Sequence, residues 1–344
     1  MSRTKKGGVA RRSFLKGSAA TTAAFAFAPF VRRADAAHHK LTMGTNWKAQ
    51  AEHGGYYQAV AAGIYKDYGL DVEIRPGGPQ VNHSQLLAAG KIDFNMGSSC
   101  FTAFNFVMNN IPMVCVGSIF QKDPQILMAH PGQGIDSLGD MRGHKVLISK
   151  SARVQYWLWL KQAYGFTDEM IEPYTYNPGP FLADKSKIQQ GYLTSEPFAI
   201  EREGGFEPIV FLLADHGYKT YSTTIETSSK LVAEDPDKVQ RFVDATVIGW
   251  RDYLHGNNTA ANDLIKQDNP DMADEQLEYS LSKMKEYGIV ESGDALSLGI
   301  GAMSHERWKT FFDFAVKAGI YDAGLDYRKA YTLDFVNKGV GLKG

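Results

Sequence analysis

Two cysteines, Cys100 and Cys115, are all that the 344 residues contain. So sparse a supply excludes a disulfide-stapled scaffold and a cysteine-ligated metal centre. Both stand in apolar, strand-like surroundings (SSCFTAF and MVCVGSI), which favours two buried thiols over a bridge. No apolar run reaches the ~20 residues that cross a bilayer. The sequence also lacks the GxSxG elbow, a P-loop, HExxH and a GxGxxG turn after a strand. Carboxylate pairs are abundant but none has a glycosidase context, and His38-His39 belongs to no metal constellation. Nothing here demands catalysis, a metal or a cofactor.

An overall excess of charge is missing too, with 37 Lys+Arg against 38 Asp+Glu. That balance conceals an asymmetry, because the first 36 residues carry eight of the basic side chains and one acidic one. Among them Arg11-Arg12-Ser13-Phe14-Leu15-Lys16 is a twin-arginine pattern, followed by an alanine-rich run, Gly17 to Phe30. Ala34-Asp35-Ala36 then supplies a small-x-small cleavage site. This order predicts a signal peptide over 1–36, export through the twin-arginine pathway and a periplasmic location. Without that segment 29 basic residues face 37 acidic ones, a net charge near −8. Such a balance argues against nucleic acid or an anionic membrane as the main partner. It suits a freely diffusing protein, expected to be a monomer.

From Leu41 to Phe211 short strand-like runs alternate with helix-length patterns. LTMGTN, LDVEIR, DFNMG and MVCVGSIF read as strands, with helices near 55–66, 81–89 and 101–109 between them. Beyond Asp136 the alternation restarts with KVLIS, EPYTY, YLTS and PIVFLL, and with helices over 154–164, 181–190 and 198–203. Alternating βα units predict an α/β fold, and the restart predicts two similar lobes. The first would open over 37–130 and the second fill 131–220. Residues 221–344 would return to the first lobe and add helices over 236–254, 259–267, 274–287 and 305–318. Ligands of open parallel sheets sit outside the carboxyl ends of strands, so two facing lobes place their strand-to-helix turns around one cleft.

The first of those turns reads WKAQAEHGGYYQAV, residues 47–60. Asn46 and Trp47 end the strand, while Glu52, His53 and two glycines open the helix. Trp47 and Tyr56 offer ring faces, whereas Tyr57 and Tyr65 are expected to pack. Ser98 and Ser99 form a second strand end. In the other lobe Arg153 and Tyr156 follow KVLIS, and Trp157 and Trp159 are expected to pack. The sharpest stretch there is GYLTSEPFAIE, where Pro197 suits a first helical position and holds Glu196 at the helix mouth. Tyr176 and Tyr192 could add ring faces. Thr223 and Thr224 lie where the chain should cross back, near a hinge. Two carboxylates facing each other across a cleft suit a neutral or amine-bearing ligand, since desolvating an anion between them is costly.

AEHGGYYQAVAAGIYKDYGLDVEIRPGGP, AAGKIDFNMGSS and GYLTSEPFAIE resemble solute-binding proteins of ABC importers. The resemblance spans nearly the whole chain beyond residue 36. The family unites sulfonate- and nitrate-type binders with binders of thiamine pyrimidine precursors and eukaryotic thiamine pyrimidine synthase. The EHGGYYQA and RPGGP runs point to the pyrimidine-precursor side. The resemblance implies a type II periplasmic binding protein: two α/β lobes, a two-strand hinge and a C-terminal helical part. It implies an ABC permease at the inner membrane as partner, and an aminopyrimidine enclosed by residues matching Asn46, Trp47, Tyr192 and Glu196. Riboflavin, taurine, another sulfonate and nitrate stand as alternative ligands. The synthase branch uses a lysine, a consumed histidine and a cysteine-rich iron motif. Aligned without gaps, this chain has Gly97 and Phe101 at the first two positions, and its YSTTIETS segment contains no cysteine.

Overall fold

The computed structural model describes residues 38–78 and 81–342. The predicted signal segment lies outside them. Ten strands organise the chain: β1 (His39–Gly44), β2 (Leu70–Arg75), β3 (Phe94–Ser99), β4 (Met113–Phe120), β5 (Gln125–Ala129), β6 (Val146–Ile148), β7 (Ile171–Pro173), β8 (Ile188–Tyr192), β9 (Ile209–Leu212) and β10 (Ser222–Ser228). They form two five-stranded sheets, β2-β1-β3-β10-β4 and β7-β6-β8-β5-β9. In the first, β1 runs parallel to β2 and β3, and β10 is inserted antiparallel between β3 and β4. In the second, β6 is parallel to β7 and β8, while β5 is antiparallel to β8 and β9. The chain therefore leaves the first sheet after β4 and returns to its interior after β9. This is the two-lobed α/β architecture of a type II periplasmic binding protein.

Several elements differ from the sequence expectation, each for a local reason. Gln125–Ala129, assigned by sequence to the end of the first lobe, pairs within the second sheet. The helix expected over 181–190 is a short one, Gly179–Ala183, followed by β8. Residues 189 and 190 of that range are glutamines. In the sheet both are buried, and Gln190 Oε1 accepts from the Ser149 backbone N–H at 2.6 Å. The strand expected at 192–195 ends at Tyr192, and residues 193–195 turn into the helix Glu196–Gly204. The helix expected over 55–66 breaks at Gly63, whose φ of 72° only glycine adopts cheaply.

The four C-terminal helices form as Pro236–His255, Thr259–Asp268, Asp274–Glu286 and His305–Lys317. Asp235 caps the longest by accepting from the Lys238 N–H at 3.0 Å, with Pro236 at a position where no N–H is needed. This helix crosses Gly54–Ala61 so closely that a Cβ at Gly249 would stand 2.4 Å from the Gly55 carbonyl oxygen. Its Phe242 stacks on Phe94 of β3 with ring centres 3.7 Å apart. Tyr57, Tyr65, Trp157 and Trp159 are buried, and Cys100 and Cys115 are buried free thiols.

Arg307, on the helix His305–Lys317, ties the two crossings between the sheets. Its guanidinium donates to the Gln121 carbonyl on the outgoing segment, and to the carbonyls of Thr220 at 2.8 Å and Lys219 at 3.1 Å on the returning one. The same group lies 4.0 Å from the Tyr221 ring centre. A Lys122–Asp215 ion pair at 2.6 Å joins the crossings a second time. Arg307→Met strands three carbonyls and should cost about 3 kcal/mol or more. Arg307→Lys should restore little of it, because an ammonium cannot span the same fork. Urea unfolding reads both, and a methionine variant with the wild-type midpoint would remove the clamp.

Candidate ligand-binding site

The turns at the strand ends meet around one aromatic and acidic cluster. Trp47 follows β1, and its ring centre lies 5.7 Å from that of Tyr176, which follows β7. Tyr176 is 56% exposed and holds φ at 62°, a conformation unusual for a bulky side chain. It lies 5.3 Å from Tyr174, whose hydroxyl donates to Glu196 Oε1 at 3.2 Å. Glu196 Oε2 accepts from the Tyr192 N–H at 2.7 Å and from the Ser195 hydroxyl. The carboxylate is thus oriented at the mouth of its helix with room left on Oε1. Tyr156 is buried nearby with its hydroxyl unpartnered among the described residues, and Glu196, Tyr174, Tyr176 and Asp123 all bear on its ionisation. On the opposite wall Asn46 Nδ2 donates to Ser98 Oγ at 3.2 Å.

Glu52 joins the lobes directly, because the Thr194 hydroxyl of the second lobe donates to its Oε1. Behind this contact, the helix Asp274–Glu286 holds the Thr194 carbonyl through Gln276 Nε2 at 2.8 Å and Ser280 Oγ at 2.7 Å. Burial pushes the Glu52 carboxyl up to about 7, with the Thr194 bond opposing and Glu196 adding to the rise. His53 is pushed the other way, to about 3, by burial and by neighbouring His83. Asp123, between the sheets, is raised to about 7 by burial.

The remaining predicted residues fall into three groups. Ser99 and Thr223 are buried with unpartnered hydroxyls among the described residues, and Thr223 has φ 49°, costly for a β-branched residue. Thr224 is also buried and donates to Glu226 Oε1 at 3.1 Å. Tyr56 stands apart in the core, edge-on to Trp250 with centres 6.1 Å apart. Arg153 ends a short helix, Lys150–Arg153; its charge is felt at Asp168, and none of the described residues pairs with it as an ion. Sequence reasoning missed Tyr174, Thr194 and Asp123. Tyr174 was within reach, since it is two residues before Tyr176 in a strand-like run and so shares its side.

A family model described as NMT1/THI5 like matches residues 50–260. The riboflavin-binding protein RibY of Chloroflexus aurantiacus is 24% identical over 310 residues, 87% of each chain. The periplasmic aliphatic sulphonate-binding protein SsuA of Escherichia coli superposes with a TM-score of 0.63 at 14% identity, over 85% of this chain and 91% of that one. The desulfurization enzyme DszB superposes with a TM-score of 0.56 at 15% identity, over 87% and 97%. At such identity these two likenesses concern the fold.

The Glu52–Thr194 contact can be tested without a ligand. A carboxyl whose value is raised on folding contributes fully below its unfolded value near 4.5 and loses that contribution as pH rises through about 7. Glu52→Gln should therefore flatten the pH dependence of stability between about 4.5 and 7, by on the order of 3 kcal/mol. Melting curves across that window check this. Parallel wild-type and variant profiles would show that Glu52 stays solvated and ionised.

Proposed function

The chain belongs to the NMT1/THI5-like family, and from that premise we propose that it is the solute-binding protein of an ABC importer. Its ligand is an aminopyrimidine of the thiamine-precursor kind, held between the lobes. The observation that carries this reading is the facing of Trp47 and Tyr176 from opposite lobes beside the oriented carboxylate of Glu196. Flat ring faces hold a planar heterocycle, and carboxylate oxygens accept from its amino group. A ligand that touches both lobes favours the closed arrangement, because only then does it gain both sets of contacts. Closure excludes water and strengthens each hydrogen bond inside.

The same reading makes the protein a non-enzymatic, monomeric periplasmic receptor exported through the twin-arginine pathway, delivering ligand to an inner-membrane permease. Gly97 and Phe101 in place of the synthase lysine and histidine support binding over turnover. Glu52, Glu196 and Asp123 around the cleft disfavour sulfonate or nitrate. A flavin is the second reading. It is supported by the likeness to RibY and by the breadth of the wall formed by Trp47, Tyr174 and Tyr176.

Thermal unfolding against thiamine, aminopyrimidines, riboflavin, taurine and nitrate tests the reading. A ligand at 100 times its Kd adds about 2.7 kcal/mol. The stabilising ligand should be an aminopyrimidine, or on the second reading riboflavin. Trp47→Ala and Glu196→Gln should each weaken it by roughly tenfold or more, with unfolding midpoints near wild type. Stabilisation by taurine or nitrate alone, or unchanged affinity in both variants, would overturn the assignment.

A further inference from the structure

Beneath the first-lobe wall lies a set of polar side chains that the ring-binding residues leave unused. Asn95 of β3 and Glu226 of β10 are cross-strand partners, and Asn95 Nδ2 donates to Glu226 Oε2 at 2.7 Å. The Glu226 carboxyl reaches toward the strand end through space that a side chain at Gly97 would fill. A Cβ there would stand 2.0 Å from its Oε1. Gly44, the sheet partner of Asn95, leaves similar room for His83, whose Nδ1 lies 2.9 Å from where a Cβ would be. The His83 ring in turn influences His53, at the mouth of the first helix. Ser99 continues the side of β3 that carries Asn95.

These groups are buried and under-used. His53 is 0% exposed, His83 4%, Asn95 1% and Ser99 2%. Yet both nitrogens of each imidazole, Asn95 Oδ1 and Ser99 Oγ have no hydrogen-bond partner among the described residues. The Thr45 backbone approaches His83 without good hydrogen-bond geometry. Each such group carries a desolvation cost until something pairs with it. Burial lowers both imidazoles toward the neutral form and raises the Glu226 carboxyl to about 8. The set therefore offers donors and acceptors without a fixed positive charge. None of the five side chains is a fixed cation for a phosphate or sulfonate, although the Arg75 charge bears on His83, and a hydrocarbon would waste every polar atom. A hydroxyl, which both donates and accepts, fits.

We propose that His53, His83, Asn95, Ser99 and Glu226 form a subsite for a hydroxyl-bearing substituent on the bound heterocycle, so that the first lobe selects among ring compounds by their hydroxyls. This rests on the ring-binding reading above and adds a specificity to it. The test is calorimetric titration with two ring-matched pairs. One is riboflavin against lumiflavin, which has methyl in place of the hydroxylated chain. The other is an aminopyrimidine carrying hydroxymethyl against the same ring carrying methyl. For whichever ring binds, the hydroxylated member should bind roughly tenfold tighter or more. Glu226→Gln and Ser99→Ala should each shrink that preference while leaving the affinity of the hydroxyl-free ring unchanged. Ser99→Ala removes a single unpaired oxygen and keeps the test open should the glutamine variant unfold. Equal affinity within the pair, or a preference that survives the substitutions, overturns the subsite. Failure of every ring compound to bind is a separate result that overturns the ring-binding reading and the subsite with it.

Discussion

One guanidinium determines how the two halves of this molecule relate. Arg307 reaches from a C-terminal helix and holds carbonyls on both segments that cross between the sheets. Those segments include Asp123, raised by burial, and lead into Thr223 with its strained backbone. The lobes that these crossings connect meet again at the Glu52–Thr194 bond and the Trp47–Tyr176 contact.

Three buried acids share a second constraint. Glu52, Asp123 and Glu226 are buried without a salt bridge among the described residues, and each is raised by the burial itself. Their compensation comes from hydroxyls, amides and backbone N–H groups: Thr194 for Glu52, the Gln125 N–H for Asp123, and Asn95 with Thr224 for Glu226. Such surroundings favour added hydrogen-bond donors over added negative charge.

Much of the architecture was legible because the strand ends carry it. The residues that follow β1 and precede the helix Glu196–Gly204 were found from glycine, proline and aromatic placement. What escaped had a physical cause. β5 holds a four-residue apolar run, Ile126 to Ala129, whose length cannot decide strand from helix. β8 contains two glutamines buried in the sheet, where local propensity yields to tertiary pairing. Glu226 lies in a threonine-rich segment, and a charged residue there reads as an exposed strand rather than as a strand flanked on both sides. Asn95 and His83 gain meaning only through the sheet register, which no local pattern states. The same limit applies to Thr194, whose partner Glu52 is far away in the chain.

The position of β10 has a consequence for how the chain assembles as it is made. All strands of the second sheet lie in one uninterrupted stretch, from Gln125 to Leu212. That stretch can gather its sheet as soon as it emerges from the ribosome. The first sheet cannot, because its penultimate strand arrives only with Ser222–Ser228, more than a hundred residues after its neighbour β3. Until then β3 and β4 present unpaired edges, and closing them pays the entropy of a long loop. The early lobe shortens that loop by folding within it. The sheet made second can thus be complete first, while the opening strands wait for β10.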